Sequence, residues 1–221
     1  MNIRENLGLL YDSIPPYVQV IAVSKTQSPE TISEAYSAGH RVFGENKVQE
    51  LTAKASALPA DIQWHFIGHL QTNKARFIVP FIHMIQSIDS LKLLKEVEKE
   101  AGKIGRMIPC LLQMHIASEE TKFGLDLPEA SQMLDSPEFK NMNYIRIHGL
   151  MGMATFTDDK DLVRQEFRTL RENFNAIKAR FFQADNNFRQ LSMGMSGDYN
   201  LAIEEGSTMV RIGTAIFGDR H

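Results

Sequence analysis

The chain has 221 residues, long enough to bury roughly 70% of its unfolded surface without disulfides or a structural metal. Its apolar share of 43% and charged share of 23% are ordinary for a globular protein. With Lys+Arg at 24 and Asp+Glu at 27, the net charge of −3 supplies no basic surface for nucleic acid or an anionic membrane.

The opening stretch "MNIRENLGLLYDSIPPYVQV" lacks a basic segment followed by an unbroken apolar run, so no signal peptide is expected. No window approaches the roughly 18 apolar residues of a membrane span. Cys110 is the lone cysteine, which excludes an intramolecular disulfide and sets a reduced, cytoplasmic compartment as the expectation. Its apolar setting, "IPCLLQMHI", reads as that of a buried small hydrophobe.

In chain order, strands are expected at "VQVIAVSK" (18–25), "RVFGEN" (41–46), "WHFIGHL" (64–70) and "HMIQSID" (83–89). Four more follow at "IPCLLQMHI" (108–116), "YIRIHGLMG" (144–152), "QLSMG" (190–194) and "MVRIGTAIFG" (209–218). Helices separate them. One has Ser28 as N-cap, Pro29 at the first helical position and Gly39 as its stop. A second takes Asp89 or Ser90 as cap, with Leu91, Leu94 and Val97 on one face. The clearest spans 158–182, where Val163, Phe167, Leu170, Phe174, Ile177 and Phe181 recur at helical spacing and form the inner face of an outer helix.

Eightfold strand–helix alternation predicts an α/β fold, a single (β/α)8 TIM-type barrel occupying residues 1–221 as one domain. A doubly wound sheet competes, but the glycine-rich dinucleotide fingerprint that usually follows its first strand is missing here.

Barrels of this type build their sites at the C-terminal ends of the strands. Those ends here read Ser24-Lys25-Thr26, Gly44-Glu45-Asn46, Gly68-His69, "HGLMGM", "SMGMSGD" and Arg211-Ile212-Gly213-Thr214. Backbone N–H groups at the turn after the seventh strand and at Gly213–Thr214 would form a nest for a phosphate across the barrel mouth. The alternative is that Ser196 caps the helix and the glycines only turn the chain. His65 and His69 are four apart, but on a strand they do not converge on a metal, and no metal site is expected. Glu204 and Glu205 read as a solvated helix face. Lys25 ends an apolar strand at the barrel mouth, where desolvation would lower its pKa and suit it to attack a carbonyl. An amine beside a phosphate nest points to an aldehyde-bearing phosphate ester, and pyridoxal 5′-phosphate (PLP) fits.

The blocks "AVSKT", "GENKVQE", "WHFIGHLQTNK", "HGLMGM" and "LSMGMSGDYNLAIEEGSTMVRIGTAIFG" together resemble the PLP homeostasis protein family over essentially the whole chain. The resemblance implies a barrel similar to the N-terminal domain of alanine racemase, with PLP held as an internal aldimine on Lys25. It further implies that Ser196, Gly213 and Thr214 hold the phosphate. Asn46 and the methionines of "SMGM", Met193 among them, would line the cofactor, and Arg211 would face the pyridine nitrogen. Lys122 resembles a further family lysine near the site, whereas Gln27 replaces a second lysine that many members carry after the first.

Arginine does not surrender its proton in a protein, so Arg211 can donate to a ring nitrogen without leaving it protonated, and such a ring is a poor electron sink. A two-base racemase also needs a residue on the other cofactor face, supplied in alanine racemase by a second domain for which the sequence offers no candidate. The expectation is therefore a monomeric, non-enzymatic PLP carrier or regulator with no catalytic residue, exchanging PLP with PLP-dependent apo-enzymes. The alternatives are a PLP-dependent enzyme such as an amino-acid racemase, or a cofactor-free phosphosugar lyase or isomerase.

Overall fold

The structure is a computed structural model that describes residues 2–118 and 123–218. Eight parallel strands form a closed barrel in sequence order: β1 Gln19–Val23, β2 Val42–Glu45, β3 Gln63–Phe66, β4 Met84–Ile88, β5 Ile108–Met114, β6 Ile145–Gly152, β7 Gln190–Met195 and β8 Met209–Ile212. The ring closes where β8 pairs with β1, from Gln19 opposite Met209 to Ala22 opposite Ile212. All eight strands expected from the sequence are present. The eighth is shorter than its apolar run, because the chain leaves the sheet after Ile212 and turns into a one-turn helix at Thr214.

Helices α1 (Ile3–Ser13), α2 (Pro29–Ser37), α3 (Val48–Ala57), α4 (Ala75–Ile78) and α5 (Leu91–Lys103) surround the first half. The second half carries α6 (Leu127–Asp135), α7 (Pro137–Lys140), α8 (Lys160–Phe181), α9 (Tyr199–Glu204) and α10 (Thr214–Phe217). Their starts follow the expected capping chemistry. The Ser28 hydroxyl accepts from the Thr31 N–H, with Pro29 at the first turn of α2. Of the two candidate caps for α5, Ser90 takes the role.

Two apolar layers result. The larger lies between strands and helices and includes Phe43, Phe66, Phe167 and Phe188. Along α8, Val163, Phe167, Leu170 and Ile177 are buried in it, and Phe174 and Phe181 pack partly buried beside them. The smaller consists of Met84, Leu111, Met151 and Met209, one side chain from each of four strands, packed within the ring. Cys110 is fully buried and burial pushes its thiol pKa up, which makes it an inert packing group. Among the described residues no helix is long and apolar enough to cross a membrane.

The β5–β6 pairing shifts register, from Cys110 opposite Ile147 to Leu111 opposite Gly149, so His148 is the extra residue of a bulge. Gly149 has φ +152°, and a Cβ there would collide with the Gln190 carbonyl oxygen. Only glycine lets β6 and β7 approach at that point.

Phe167→Ala should lower unfolding stability by about 3–5 kcal/mol in chemical denaturation, because the ring is wholly enclosed between α8 and the barrel. Leu9→Ala, on the exposed face of α1, should stay within about 0.5 kcal/mol of the parent.

Candidate cofactor site

A cavity of about 500 Å³ opens at the C-terminal ends of the strands. Lys25 follows β1, Asn46 follows β2, and Ile67, Gly68 and His69 follow β3. Gln113 comes from β5 and Met153 from the end of β6. Met195 to Asp198 follow β7, and Arg211, Gly213 and Thr214 belong to β8 and its exit. Phe123 and Phe156 complete the wall. The size is that of a small-molecule pocket. Of the residues read from the sequence, Lys25, Asn46, Ser196, Arg211, Gly213 and Thr214 all reach this space.

Met193 does not. Its side chain is fully buried in the layer between strands and helices, and of the two methionines of this strand it is Met195 that reaches the cavity. The β7–β8 register explains the difference. Ser192 pairs with Met209 but Met195 pairs with Arg211, so β7 advances three residues while β8 advances two. That extra residue moves Met195 to the face opposite Met193. Lys122 lies outside the described residues.

Lys25 sits on a tight turn that follows β1. The Gln27 N–H donates to the Ser24 carbonyl (3.0 Å), which closes a four-residue turn with Lys25 and Thr26 at its centre. Thr26 has φ +67° and is the one non-glycine with positive φ among the described residues. That is the conformation a type II turn requires at its third position, where glycine or asparagine is usual and a β-branched residue is strained. Lys25 itself is partly buried. Its sheet neighbours are β2, which brings Asn46, and β8, which brings Gly213. The Gly213–Thr214 turn is thus on the adjacent strand and not across the barrel mouth.

Gly68 fixes where Asn46 sits. A Cβ on Gly68 would collide with the Asn46 carbonyl oxygen and lie 2.7 Å from its Cα, so β3 can pass behind Asn46 only as glycine. The Asn46 Oδ1 atom is buried with no hydrogen-bond partner in the protein, a strong acceptor held ready for a ligand donor.

Arg211 is 4% exposed and lies in the wall of the cavity. Its Nη1 donates to the Ser192 hydroxyl (2.7 Å) and its Nη2 to the Gly152 carbonyl (2.8 Å). Ser192 in turn donates to Gln86 Oε1 (2.7 Å), and Gln86 Nε2 lies 2.8 Å from His65 Nδ1. Burial pushes the guanidinium pKa down to about 10, opposed by Asp198, so it remains charged at neutral pH. Burial, with His83 stacked 5.4 Å away, pushes His65 down to about 3 and keeps that imidazole neutral. A buried cation supported by neutral groups keeps further N–H donors for a ligand acceptor.

The two loops read as a phosphate nest do meet. The Gly213 N–H donates to the Ser196 Oγ at 3.2 Å, so Ser196 bridges the loops and does not cap α9. Hydroxyl and backbone N–H groups at this end of the cavity suit an anion. The donor set as a whole fits PLP: an amine, polar groups at Ser196, Gly213 and Thr214 for phosphate oxygens, and Arg211 for a ring nitrogen.

Other sequence readings separate here. His65 bonds Gln86 inside the barrel, while His69 pairs with Asp89 (3.0 Å) and stacks on Phe123 (4.4 Å). Glu205 is not a solvated carboxylate. It is buried and clamped by Arg164, Arg168 and Arg171 of α8, with only Glu204 exposed. Sequence reasoning did not single out Gln113, whose Nε2 donates to the Phe123 carbonyl (2.9 Å), or Glu166. The Glu166 carboxylate accepts from the N–H and hydroxyl of both Ser118 and Thr155, at 2.7–3.1 Å, and ties together the loops that follow β5 and β6. Gln86, Ser192 and Gln113 each interrupt an otherwise apolar strand, which was the available signal.

Gly68→Ala should cost about 1–3 kcal/mol of stability, read by denaturant titration, since backbone atoms at Asn46 must move. Burial opposes ionisation of Glu166, but the donors of Thr155 and Ser118 outweigh it and hold its carboxyl below the ordinary 4.5. Its stabilisation is therefore complete above that value and is lost as pH falls through the folded one. Thermal midpoints should place Glu166→Gln below the parent near neutrality, with the gap closing as the solution is acidified below the ordinary 4.5.

The model for the alanine racemase N-terminal domain matches residues 1–221. A pyridoxal phosphate homeostasis protein of Aquifex aeolicus is 38% identical over 204 residues, covering 91% of this chain and 87% of that protein. The solved structure of PipY from Synechococcus elongatus without PLP superposes with a TM-score of 0.92 at 37% identity, covering 98% of this chain and 100% of PipY. PipY with PLP bound gives 0.88 at the same identity and coverage. The chain belongs to the pyridoxal phosphate homeostasis protein family, on the barrel of the alanine racemase N-terminal domain.

Proposed function

We propose that this chain binds PLP through Lys25 as an internal aldimine and serves cytoplasmic PLP homeostasis as a monomeric carrier or regulator, without robust catalytic turnover. The observation that carries the reading is a lysine on a strained turn, flanked by Asn46 on one strand and the Ser196–Gly213 pair on the other, in one cavity. The PLP-bound PipY structure and the homeostasis name of the relatives support it.

PLP supplies an aldehyde to condense with an amine and a ring to take up electrons. The chain's own groups do the rest. The Lys25 amine attacks the aldehyde carbon, and water leaves. Ser196 and the N–H groups of Gly213 and Thr214 hold the phosphate, and Asn46 Oδ1 accepts a donor from the ligand. Arg211 donates to the pyridine nitrogen and keeps its own proton, because its pKa stays near 10. The nitrogen is then hydrogen-bonded but unprotonated, which favours holding PLP over carbanion chemistry. PLP-dependent apo-enzymes are the recipients this reading calls for.

Purified protein mixed with PLP should develop a visible absorbance band, and borohydride should fix the cofactor on the peptide carrying Lys25. Lys25→Ala should abolish both. A colourless wild-type chain overturns the binding reading. Release of α-deuterium from labelled alanine well above the blank overturns the carrier reading in favour of a racemase.

A further inference from the structure

The residues on either side of Lys25 are held by charged side chains of β2 and α3. Before it, the Ser24 hydroxyl donates to Glu45 Oε1 (2.7 Å) and the Ser24 carbonyl accepts from Lys54 Nζ (2.8 Å). After it, the Thr26 N–H donates to Glu50 Oε2 (3.0 Å). One ammonium joins the two sides, since Lys54 Nζ lies 2.8 Å from Glu45 and 3.5 Å from Glu50. Glu45 has no exposed surface and the Lys54 side chain is 8% exposed, so both charges are desolvated.

Packing alone does not account for this triad. A buried ion pair commonly contributes no more stability than apolar residues of the same volume, because desolvation offsets the attraction. What the triad does supply is direction. Thr26 is β-branched and left-handed, a conformation that persists only where the surroundings enforce it. The Glu50 carboxylate accepts the N–H of that residue. Released, the Thr26 backbone would relax toward an ordinary conformation, and the turn that presents Lys25 would open.

We propose that Glu50, linked through Lys54 to Glu45, is a positioning residue that holds the Ser24–Thr26 turn so that the Lys25 amine points at the PLP aldehyde. The proposal rests on Lys25 being the covalent attachment point. Its sequence signature is the spacing of Glu45, Glu50 and Lys54 along "GENKVQELTAK", which places the last two one helical turn apart on α3.

The test compares PLP with pyridoxine 5′-phosphate, which has a hydroxymethyl group in place of the aldehyde and cannot condense with an amine. Affinity for each is measured by equilibrium dialysis on folded parent, Glu50→Ala, Glu50→Gln and Lys25→Ala chains, with circular dichroism to verify folding. Glu50→Ala should weaken PLP on the order of tenfold, in the range for coupled neighbours, and leave pyridoxine 5′-phosphate unchanged. Glu50→Gln, which keeps an oxygen acceptor for the Thr26 N–H, should retain most of the PLP affinity. Adding Thr26→Asn to Glu50→Ala should recover affinity, because asparagine tolerates the left-handed turn. Equal weakening of both ligands, or unaltered PLP binding in Glu50→Ala, overturns the positioning role. Undiminished aldimine absorbance in Lys25→Ala overturns instead the attachment on which it rests.

Discussion

Pairing of β8 with β1 closes the barrel, and the arrangement of the cavity depends on that closure. The register that sets Ala22 opposite Ile212 puts Lys25 and Gly213 on neighbouring strand ends, although 188 positions separate them in sequence. The same register puts the guanidinium of Arg211 beneath the mouth, within reach of Ser192 on β7. A parallel barrel directs every strand end to one rim, so polar groups scattered along the chain converge without any strand changing direction. An open sheet of these strands would leave β1 and β8 on opposite edges and divide the donor set.

Inside the ring, polarity is graded. Met84, Leu111, Met151 and Met209 form a dry layer. Above it runs the chain from His65 through Gln86 and Ser192 to Arg211, anchored to the layer below where Gln86 approaches the Met209 sulfur at 3.9 Å. Every hydrogen bond in this chain except the last joins neutral groups, and the charge sits at the end facing the cavity. Placing the cation there lets a ligand share the expense of desolvating it. Glu45 and Lys54 use a different solution outside the ring, where each charge neutralises the other.

Much of this order was legible in the sequence. Eight apolar runs became eight strands, and Ser28, Pro29 and the α8 stripe acted as their chemistry requires. Candidate residues at strand ends reached the cavity because a strand's exit is marked by its first polar or glycine residues. The failures have separate causes. Two-residue alternation assigns faces only while register is constant, and the irregularity in β7 put Met193 and Met195, two residues apart, on opposite faces. Glu205 looked solvated because the arginines that enclose it, Arg164, Arg168 and Arg171, lie 34 to 41 residues earlier on α8, beyond any local pattern. Gly213 and Thr214 looked like strand because "MVRIGTAIFG" stays apolar through a backbone turn that hydrophobicity does not register.

The Glu166 carboxylate, which accepts from Ser118 and Thr155 together, has a mechanical meaning as well as an electrostatic one. The segments after β5 and β6 begin at one shared pin, and the Ser118 N–H also reaches the Thr155 hydroxyl at 3.1 Å. Neither can swing from its base without disturbing the other. Phe156 at the cavity wall follows Thr155 directly, so the Glu166 carboxylate also fixes where that ring leaves the barrel.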